Sequence, residues 1–307
     1  MQRYIVRRLL LSLITLLILT VVIFGISRAA GGDPVELMLP NDAPAEARVA
    51  MRAYLGLDKP LYIQYWRYIS RFLQGDLGES IRLHQPILDV VRERASNSVK
   101  LGLAAIAITV LMGVPLGVVA AVKRDTIVDA VAKIIAVLGQ SMPQFWLGIV
   151  LIQVFAARLH WLPAAGLGGP NHYVLPAITL GAFLVTGIMR LVRSSMLDVL
   201  GSEYVKLARI KGVPEWKVVW KHALRNSLIP VVTFGGNYLG ILFAGAIIVE
   251  TVFAWPGLGD LVYRGIVWRD YPIIQALVLL LAIVVTISNF VVDILYAYIN
   301  PRIRYGT

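Results

Sequence analysis

The sequence predicts an all-α membrane protein, a bundle of six transmembrane helices with both termini cytoplasmic, and three observations carry that reading. The chain of 307 residues is 58% hydrophobic and only 15% charged, whereas a soluble globular protein is about 45–50% apolar and about 25% charged. Six stretches approach or exceed the ~20 apolar residues that a helix needs to cross a hydrocarbon core, and none of them holds Asp, Glu, Lys or Arg. Basic residues gather in alternate connections between those stretches, the pattern that marks cytoplasmic loops.

The first span is predicted at Leu9–Ser27, behind Arg3, Arg7 and Arg8. Its apolar run is longer than a signal peptide's and no A-x-A cleavage site follows, so it reads as a retained anchor. Residues 28–100 form an extracytoplasmic region of mixed charge. Within it Tyr62, Tyr65, Trp66, Tyr68 and Phe72 recur at helical spacing, which predicts a helix with an aromatic face. That face either packs on the top of the bundle or meets an arriving protein. Gly75-Asp76-Leu77-Gly78 reads as a turn, with a reach toward substrate as the functional alternative.

Residues 101–299 form the five-helix core, and 300–307 a cytoplasmic tail. Its spans are predicted at Leu101–Val122, Ile134–Ala157, Tyr173–Met189, Leu228–Val249 and Tyr271–Val292. Gly113 and Gly117 in the second span, and Gly236, Gly240 and Ala244 in the fifth, give small-xxx-small faces that let helices approach closely. Pro143 should kink the third span. Gln140, Ser141 and Gln144 around it, with Asn237 in the fifth span, mark a candidate pathway lining. Those polar groups serve equally to satisfy backbone freed by the proline.

Sixteen Lys and Arg residues fall before span 1, between spans 2 and 3, between spans 4 and 5, and after span 6, against Arg158, Arg264 and Arg269 in the short loops opposite. Trp161, Tyr173, Trp255, Trp268 and Tyr271 are predicted in the outer aromatic belt, and Tyr296 and Tyr298 in the inner one. The net charge of +11 is thereby explained by topology and anionic lipid, not by nucleic acid. Glu250 and Asp293 lie at opposite span ends, where capping or snorkelling is favoured over ion coupling.

Several chemistries are excluded. Cysteine is absent, which removes disulfides, thiolate metal sites and thiol catalysis. His84, His160, His172 and His222 are scattered without metal-ligand spacing. Neither a G-x-x-x-x-G-K-[ST] phosphate loop nor a G-x-S-x-G elbow occurs, and Gly257-Leu258-Gly259 reads as a turn. The chain is thus expected to catalyse nothing and to bind no cofactor itself.

The connection 190–228 is too long and too patterned for a plain loop. Ser202 is a candidate helix cap with Glu203 at the positive end, and two turns should follow from Tyr204 to Lys211. Gly212 allows a left-handed stop. Pro214 suits the first position of a second helix running through Trp216, Val219, Trp220 and Ala223 towards Pro230. The pattern is helix, glycine turn, helix, either resting on headgroups or docking into a partner's groove.

This segment, Glu203-Tyr204-Val205-Lys206-Leu207-Ala208-Arg209-Ile210-Lys211-Gly212 followed by His222-Ala223-Leu224 and Pro230, resembles the ATPase-coupling loop of binding-protein-dependent ABC importer permeases. It is similar to the variant in the dipeptide/oligopeptide/nickel branch. Against the general pattern (Glu-Ala-Ala, three residues, Gly), Lys206 and Leu207 replace the Glu and first Ala, and Ala208 and Gly212 match. Further short motifs follow in the order of the branch's first-type permease. They include Gly32-Asp33-Pro34, Leu55-Gly56-Leu57-Asp58-Lys59-Pro60, Gly75-Asp76-Leu77-Gly78-Glu79-Ser80, Ser141-Met142-Pro143-Gln144, Glu250-Thr251-Val252-Phe253, Trp255-Pro256-Gly257-Leu258-Gly259, Arg269-Asp270-Tyr271-Pro272 and Asn300-Pro301-Arg302.

The resemblance implies a subunit that passes small peptides across a bacterial inner membrane, with nickel or glutathione-like compounds as alternatives. It implies a second, homologous permease, two ATPase subunits that carry the ATP and Mg, and an extracytoplasmic binding protein. It assigns Glu203, Tyr204, Ala208, Lys211, Gly212, His222 and Pro230 to coupling. A self-sufficient ion-coupled carrier is the reading from another class.

Overall fold

The computed structural model describes residues 2–29, 35–36, 39–40, 42–228, 231 and 239–299. Pro230, Gly236 and Asn237, with the motifs at 32–34 and 300–302, lie outside the described residues, as do the side chains of Gly240, Ala244, Tyr296 and Tyr298.

Helix α1 (Gln2–Ala29) is apolar on nearly every face, and Leu9, Leu13, Leu17 and Ile26 are about half exposed or more. Such a helix is stable only in lipid, where its backbone groups are satisfied internally. Helix α2 (Ala45–Leu55) stops at left-handed Gly56, and α3 (Leu61–Leu73) starts behind Pro60. The aromatic face divides. Tyr65 and Tyr68 pack on Phe24 of α1, with Tyr65 Oη 2.7 Å from Thr20 Oγ1, and Tyr62 and Trp66 stay exposed.

Helix α4 (Ile87–Val122) begins well before the predicted span, and α7 (Asn171–Leu200) continues beyond Met189 to Leu200. Together they form the most extensive helix pair. Gly181 lies against Ala105, Gly113 against Val185 and Ile188, and Gly117 against Met189 and Val192. These contacts advance in the same direction along both helices, so α4 and α7 run parallel. The small face of the second predicted span therefore meets a helix of the same chain.

The third predicted span is broken rather than kinked. Helix α5 (Ile127–Ser141) ends, α6 (Gln144–Leu151) restarts and runs into a π-helical turn, Ile152–Arg158, and the two segments are bent by 110°. Met142 and Pro143 are both extended, at ψ 129° and 135°. A proline pushes its predecessor out of helical geometry, and two extended residues in succession rotate the chain out of line.

Despite the bend, contacts advance steadily down α7. Asp129 meets Arg193, Gly139 meets Thr186, and Gly148 meets Thr179. Leu151, Ile152 and Phe155 join the cluster around Leu175, Ala177 and Leu180.

Helices α8 (Glu203–Ile210) and α9 (Glu215–Lys217, continued by a π-helical turn, Val218–Ala223) form the patterned connection. Helix α10 (Leu239–Val252) is the described part of the fifth predicted span. Helices α11 (Leu258–Trp268) and α12 (Tyr271–Ile299) complete the chain. Helix α12 lies antiparallel to α1: Arg8 Nη1 is 2.8 Å from Asp293 Oδ2 at one end, and Gln275 Nε2 donates to Ser27 Oγ at the other. Among the described residues, α1, α4, α7 and α12 are long and apolar enough to cross a membrane singly, and α5–α6 qualify as a bent pair.

Glu250 does cap a helix, from a fully buried position. Its Oε2 accepts from the backbone N–H of Gly259 (2.7 Å) and Asp260 (3.1 Å), and its Oε1 accepts from Ser98 Oγ (2.6 Å). These N–H groups open α11, where helical partners are lacking and a carboxylate is favoured. Trp255 and Tyr271 depart from the predicted outer belt, because both are buried in the bundle. Trp255 Nε1 donates to the Asn97 carbonyl at 3.2 Å, and its ring meets Tyr173 edge-on at 4.7 Å. Those partners replace the wet contact an indole otherwise seeks at a headgroup. Trp161 is 68% exposed, as a belt residue should be.

Candidate coupling surface and pathway segment

The candidate coupling surface grows directly from α7. Gly201 closes that helix, and Ser202 turns the chain at φ −73°, ψ 152° so that Glu203 opens α8. The cap position falls where the sequence predicts, with a different bond. Ser202 Oγ donates back to the Val199 carbonyl at 2.5 Å and makes no cap bond to α8.

At the far end Gly212 holds φ 75°. Its N–H donates to the Arg209 carbonyl (2.9 Å), and Val213 N–H donates to the Ala208 carbonyl (3.2 Å). This pair of bonds is a Schellman motif. Ala208 and Gly212, the two positions that match the family pattern, are thus the two ends of one helix stop. Pro214 precedes the second helix as its cap residue, one place before the predicted first position.

A second device, which sequence reasoning missed, braces the turn. The Arg209 guanidinium bonds the Glu215 carboxylate through Nη2–Oε1 at 2.7 Å and Nε–Oε2 at 3.1 Å. The Arg209 side chain beside it holds the Glu215 carboxyl below the ordinary glutamate value. Two-point pairing of planar groups fixes an angle as well as a distance. The only signal in the sequence was opposite charges six residues apart across a glycine.

Tyr204 and His222 come together across the two helices. Asn226 Nδ2 donates to Tyr204 Oη at 2.7 Å, and Tyr204 Oη lies 3.5 Å from the His222 carbonyl, at the limit of hydrogen bonding. Glu203 pairs with Lys206 at 2.8 Å on the surface, and Lys211 is exposed.

The inward side is anchored. Val218 is buried, and Val219 and Ala223 are buried with Val118 and Ala121 of α4 and Val192 and Met196 of α7. The outward side is apolar and uncovered: Leu207 is 54% exposed, Ile210 80% and Trp216 64%. A braced, anchored knob tipped by isoleucine is shaped for a groove, since an exposed apolar patch of this kind marks an interaction site.

The α5–α6 break holds the predicted pathway residues. Ser141 and Pro143 are exposed, and Gln140 and Gln144 are half-buried. The Gln144 amide lies against Gly245 of α10. Sequence reasoning also missed the clamp at the other end of α5. Asp129 is fully buried and receives Arg193 Nε at 2.6 Å, Arg193 Nη2 at 2.8 Å and Lys133 Nζ at 2.9 Å. It ties α5 to the stretch of α7 that leads into the protrusion. The candidate coupling surface and the candidate pathway segment therefore share one support, α7, though they lie apart.

Two family descriptions match and together cover the chain almost end to end. "Binding-protein-dependent transport system inner membrane component" matches residues 113–305, and its N-terminal counterpart matches residues 1–112. The glutathione transport system permease protein GsiC of Escherichia coli O6:H1 is 45% identical over 305 residues, covering 99% of this chain and all of the relative. GsiC of Salmonella paratyphi A is 44% identical over the same extent.

Among solved structures, two crystal forms of the inward-facing MetNI methionine ABC transporter share the fold. One has a TM-score of 0.58 at 19% identity, covering 70% of this chain and 99% of that one; the other has 0.56 at 18%, covering 69% and 96%. The chain belongs to the binding-protein-dependent transport system inner membrane component family and is a multi-pass inner-membrane permease subunit of an ABC importer.

Proposed function

We propose that this subunit imports glutathione-like peptides, with its protrusion at 201–228 receiving the motion of separate ATPase chains. The observation that carries the cargo is the full-length likeness to GsiC, named for glutathione transport. It favours the glutathione-like alternative over di- and oligopeptides in general.

Six spans and cytoplasmic termini fit this reading. Parallel α4 and α7 require an odd number of crossings between them, and the bent α5–α6 pair supplies one. The contacts of that pair run along α7 from Arg193 to near Tyr173, about 30 Å at 1.5 Å per residue, the thickness of a hydrocarbon core. Helix α10 is the described part of the remaining crossing, the fifth predicted span.

The partners are a second homologous permease, two ATPase subunits holding ATP and Mg, and an extracytoplasmic binding protein. ATP shifts the bundle between outward-open and inward-open states through its differential binding to them. The knob around Ile210 and Gly212 transmits that shift to α7, and the Asp129–Arg193 clamp carries it to α5 and the break at Pro143. Gln140, Ser141 and Gln144, with Asn237, line the path.

Uptake competition in cells lacking this gene tests the cargo. Labelled glutathione uptake should be lost and be restored by the gene, with excess dipeptide competing weakly and nickel not at all. Lost nickel uptake with intact glutathione uptake would overturn the assignment.

A further inference from the structure

A cavity of about 520 Å³ lies where α1, α3, the turn before α4 and the start of α12 meet. Its depth is set by the elements that line it. Arg28 ends the apolar run of α1, and Tyr271 opens α12. The cavity therefore sits at the boundary between hydrocarbon and water.

Its charges come in both signs. Arg28, Lys59, Arg67 and Arg71 contribute cations, and Asp76 and Glu79 of the adjoining turn contribute anions. The turn is shaped from within: Asp76 Oδ1 accepts from Gly78 N–H at 2.9 Å, and Asp76 N–H donates to the Arg71 carbonyl at 2.9 Å. Tyr68 and Phe72 supply an apolar wall.

The helix that carries Arg67 and Arg71 has a second, independent feature. On the face turned away from Arg67 and Arg71, α3 leaves Tyr62 72% exposed, Trp66 69% and Leu73 80%, at one helical stripe's spacing. An amphipathic helix with aromatic residues on one face and arginines on the other lies in a membrane interface, and Tyr and Trp are the residues that settle at headgroup depth.

We propose that this cavity holds the headgroup of a phospholipid of the phosphatidylethanolamine type. The phosphate sits on Arg67 and Arg71, whose guanidinium forks match phosphate oxygens. The primary ammonium faces Asp76 and Glu79, and the acyl chains descend the exposed apolar flank of α1. The lining is net cationic, and it is the two carboxylates, Asp76 and Glu79, that favour a headgroup carrying an ammonium over one without. A quaternary ammonium cannot donate hydrogen bonds to the carboxylates, which disfavours phosphatidylcholine. A soluble peptide zwitterion offers the same charge pair, so the test separates the two.

The assembled transporter is purified, stripped of lipid and given phosphatidylethanolamine, phosphatidylcholine or phosphatidylglycerol in mixed micelles. Native mass spectrometry counts retained lipid, and thermal unfolding reads the stabilisation. Phosphatidylethanolamine should be retained preferentially. Arg67→Gln with Arg71→Gln should weaken retention at least about tenfold, the loss of one charge-assisted contact. Equal retention of all three lipids, or retention unchanged in the arginine variant, overturns the proposal. So does displacement of the lipid by a millimolar dipeptide, which would reassign the cavity to peptides.

Discussion

At Gly212 the backbone is left-handed and the space around it is open, with no atom within 4 Å of an added Cβ. A side chain there meets conformational strain, about 1–2 kcal/mol for an ordinary L-residue and more for a β-branched one. Gly212→Val should let the subunit insert and assemble while uptake falls about tenfold and ATP hydrolysis persists. Gly212→Asn, which tolerates the left-handed region, should retain most uptake. Unchanged transport in the valine variant would remove this turn from the coupling path.

The brace beside it gives a pH dependence. Arg209 holds the Glu215 carboxyl below its ordinary value, about 4.3 for a free glutamate. The stabilisation is therefore complete above that value and disappears as pH falls through the lowered pKa in the folded protein. Both side chains are about half exposed, so the effect is small. Amide protection factors at residues 209–215, taken relative to intrinsic exchange at each pH, should stay constant from pH 7 to pH 5 and fall only in more acid solution. Loss of protection near pH 6 would contradict the assignment. Gly212 was legible because a glycine followed two places on by a proline has few other uses. Arg209–Glu215 was hidden, because the turn that joins its members had first to be built.

Between helices, close approach decides more than charge. A Cβ on Gly117 would come within 2.7 Å of the Met189 carbonyl oxygen and of Val192 Cβ, atoms that neither helix can withdraw. Gly117→Val should push α4 from α7 and collapse the yield of assembled protein. Gly113→Ala, whose nearest contact is 3.1 Å, should lower thermal stability by only a few degrees. Equal yields of Gly117→Val and wild type in size-exclusion profiles would show that the pair is looser than drawn.

The Asp129 clamp is the polar counterpart. Arg193→Met leaves a buried carboxylate with the exposed Lys133 and one backbone N–H, that of Asp125, and should cost about 3 kcal/mol. Lys133→Met, removing a side chain 53% exposed, should cost under about 1 kcal/mol. Comparable thermal shifts for the two would dissolve the distinction. Apolar length marked these helices in the sequence, but their ends were concealed. Helix α4 starts in polar sequence and α7 finishes in it, where nothing apolar reports continuity. Pro143 announced a disturbance without its size, because the backbone of Met142 decides between a kink and a break.

For the molecule as a whole, the absence of cysteine makes topology directly measurable. A single cysteine at Ile210 should react with a membrane-impermeant maleimide only in inside-out vesicles, and one at Tyr62 only in right-side-out vesicles. The reverse pattern would invert the bundle and detach the protrusion from any cytoplasmic ATPase. Bundle class and family were legible because lipid imposes composition on every span and short motifs recur in fixed order. Cargo was not, because the motif residues serve structure: Glu250 caps α11, and Asp270 receives Ser80 Oγ at 2.6 Å.

Helix α4 is 36 residues long, about 54 Å against a hydrocarbon core of about 30 Å. More than a third of it must stand clear of the oily layer as a mast. Its free end is rigged to α11 through Arg94 and Asp260 at 3.0 Å and through Ser98, so the outer deck leans whenever the mast leans. A few degrees of tilt at the embedded foot become a far larger sweep at Asp89, where a fluorescent tag would read the machine's stroke like a needle on a dial.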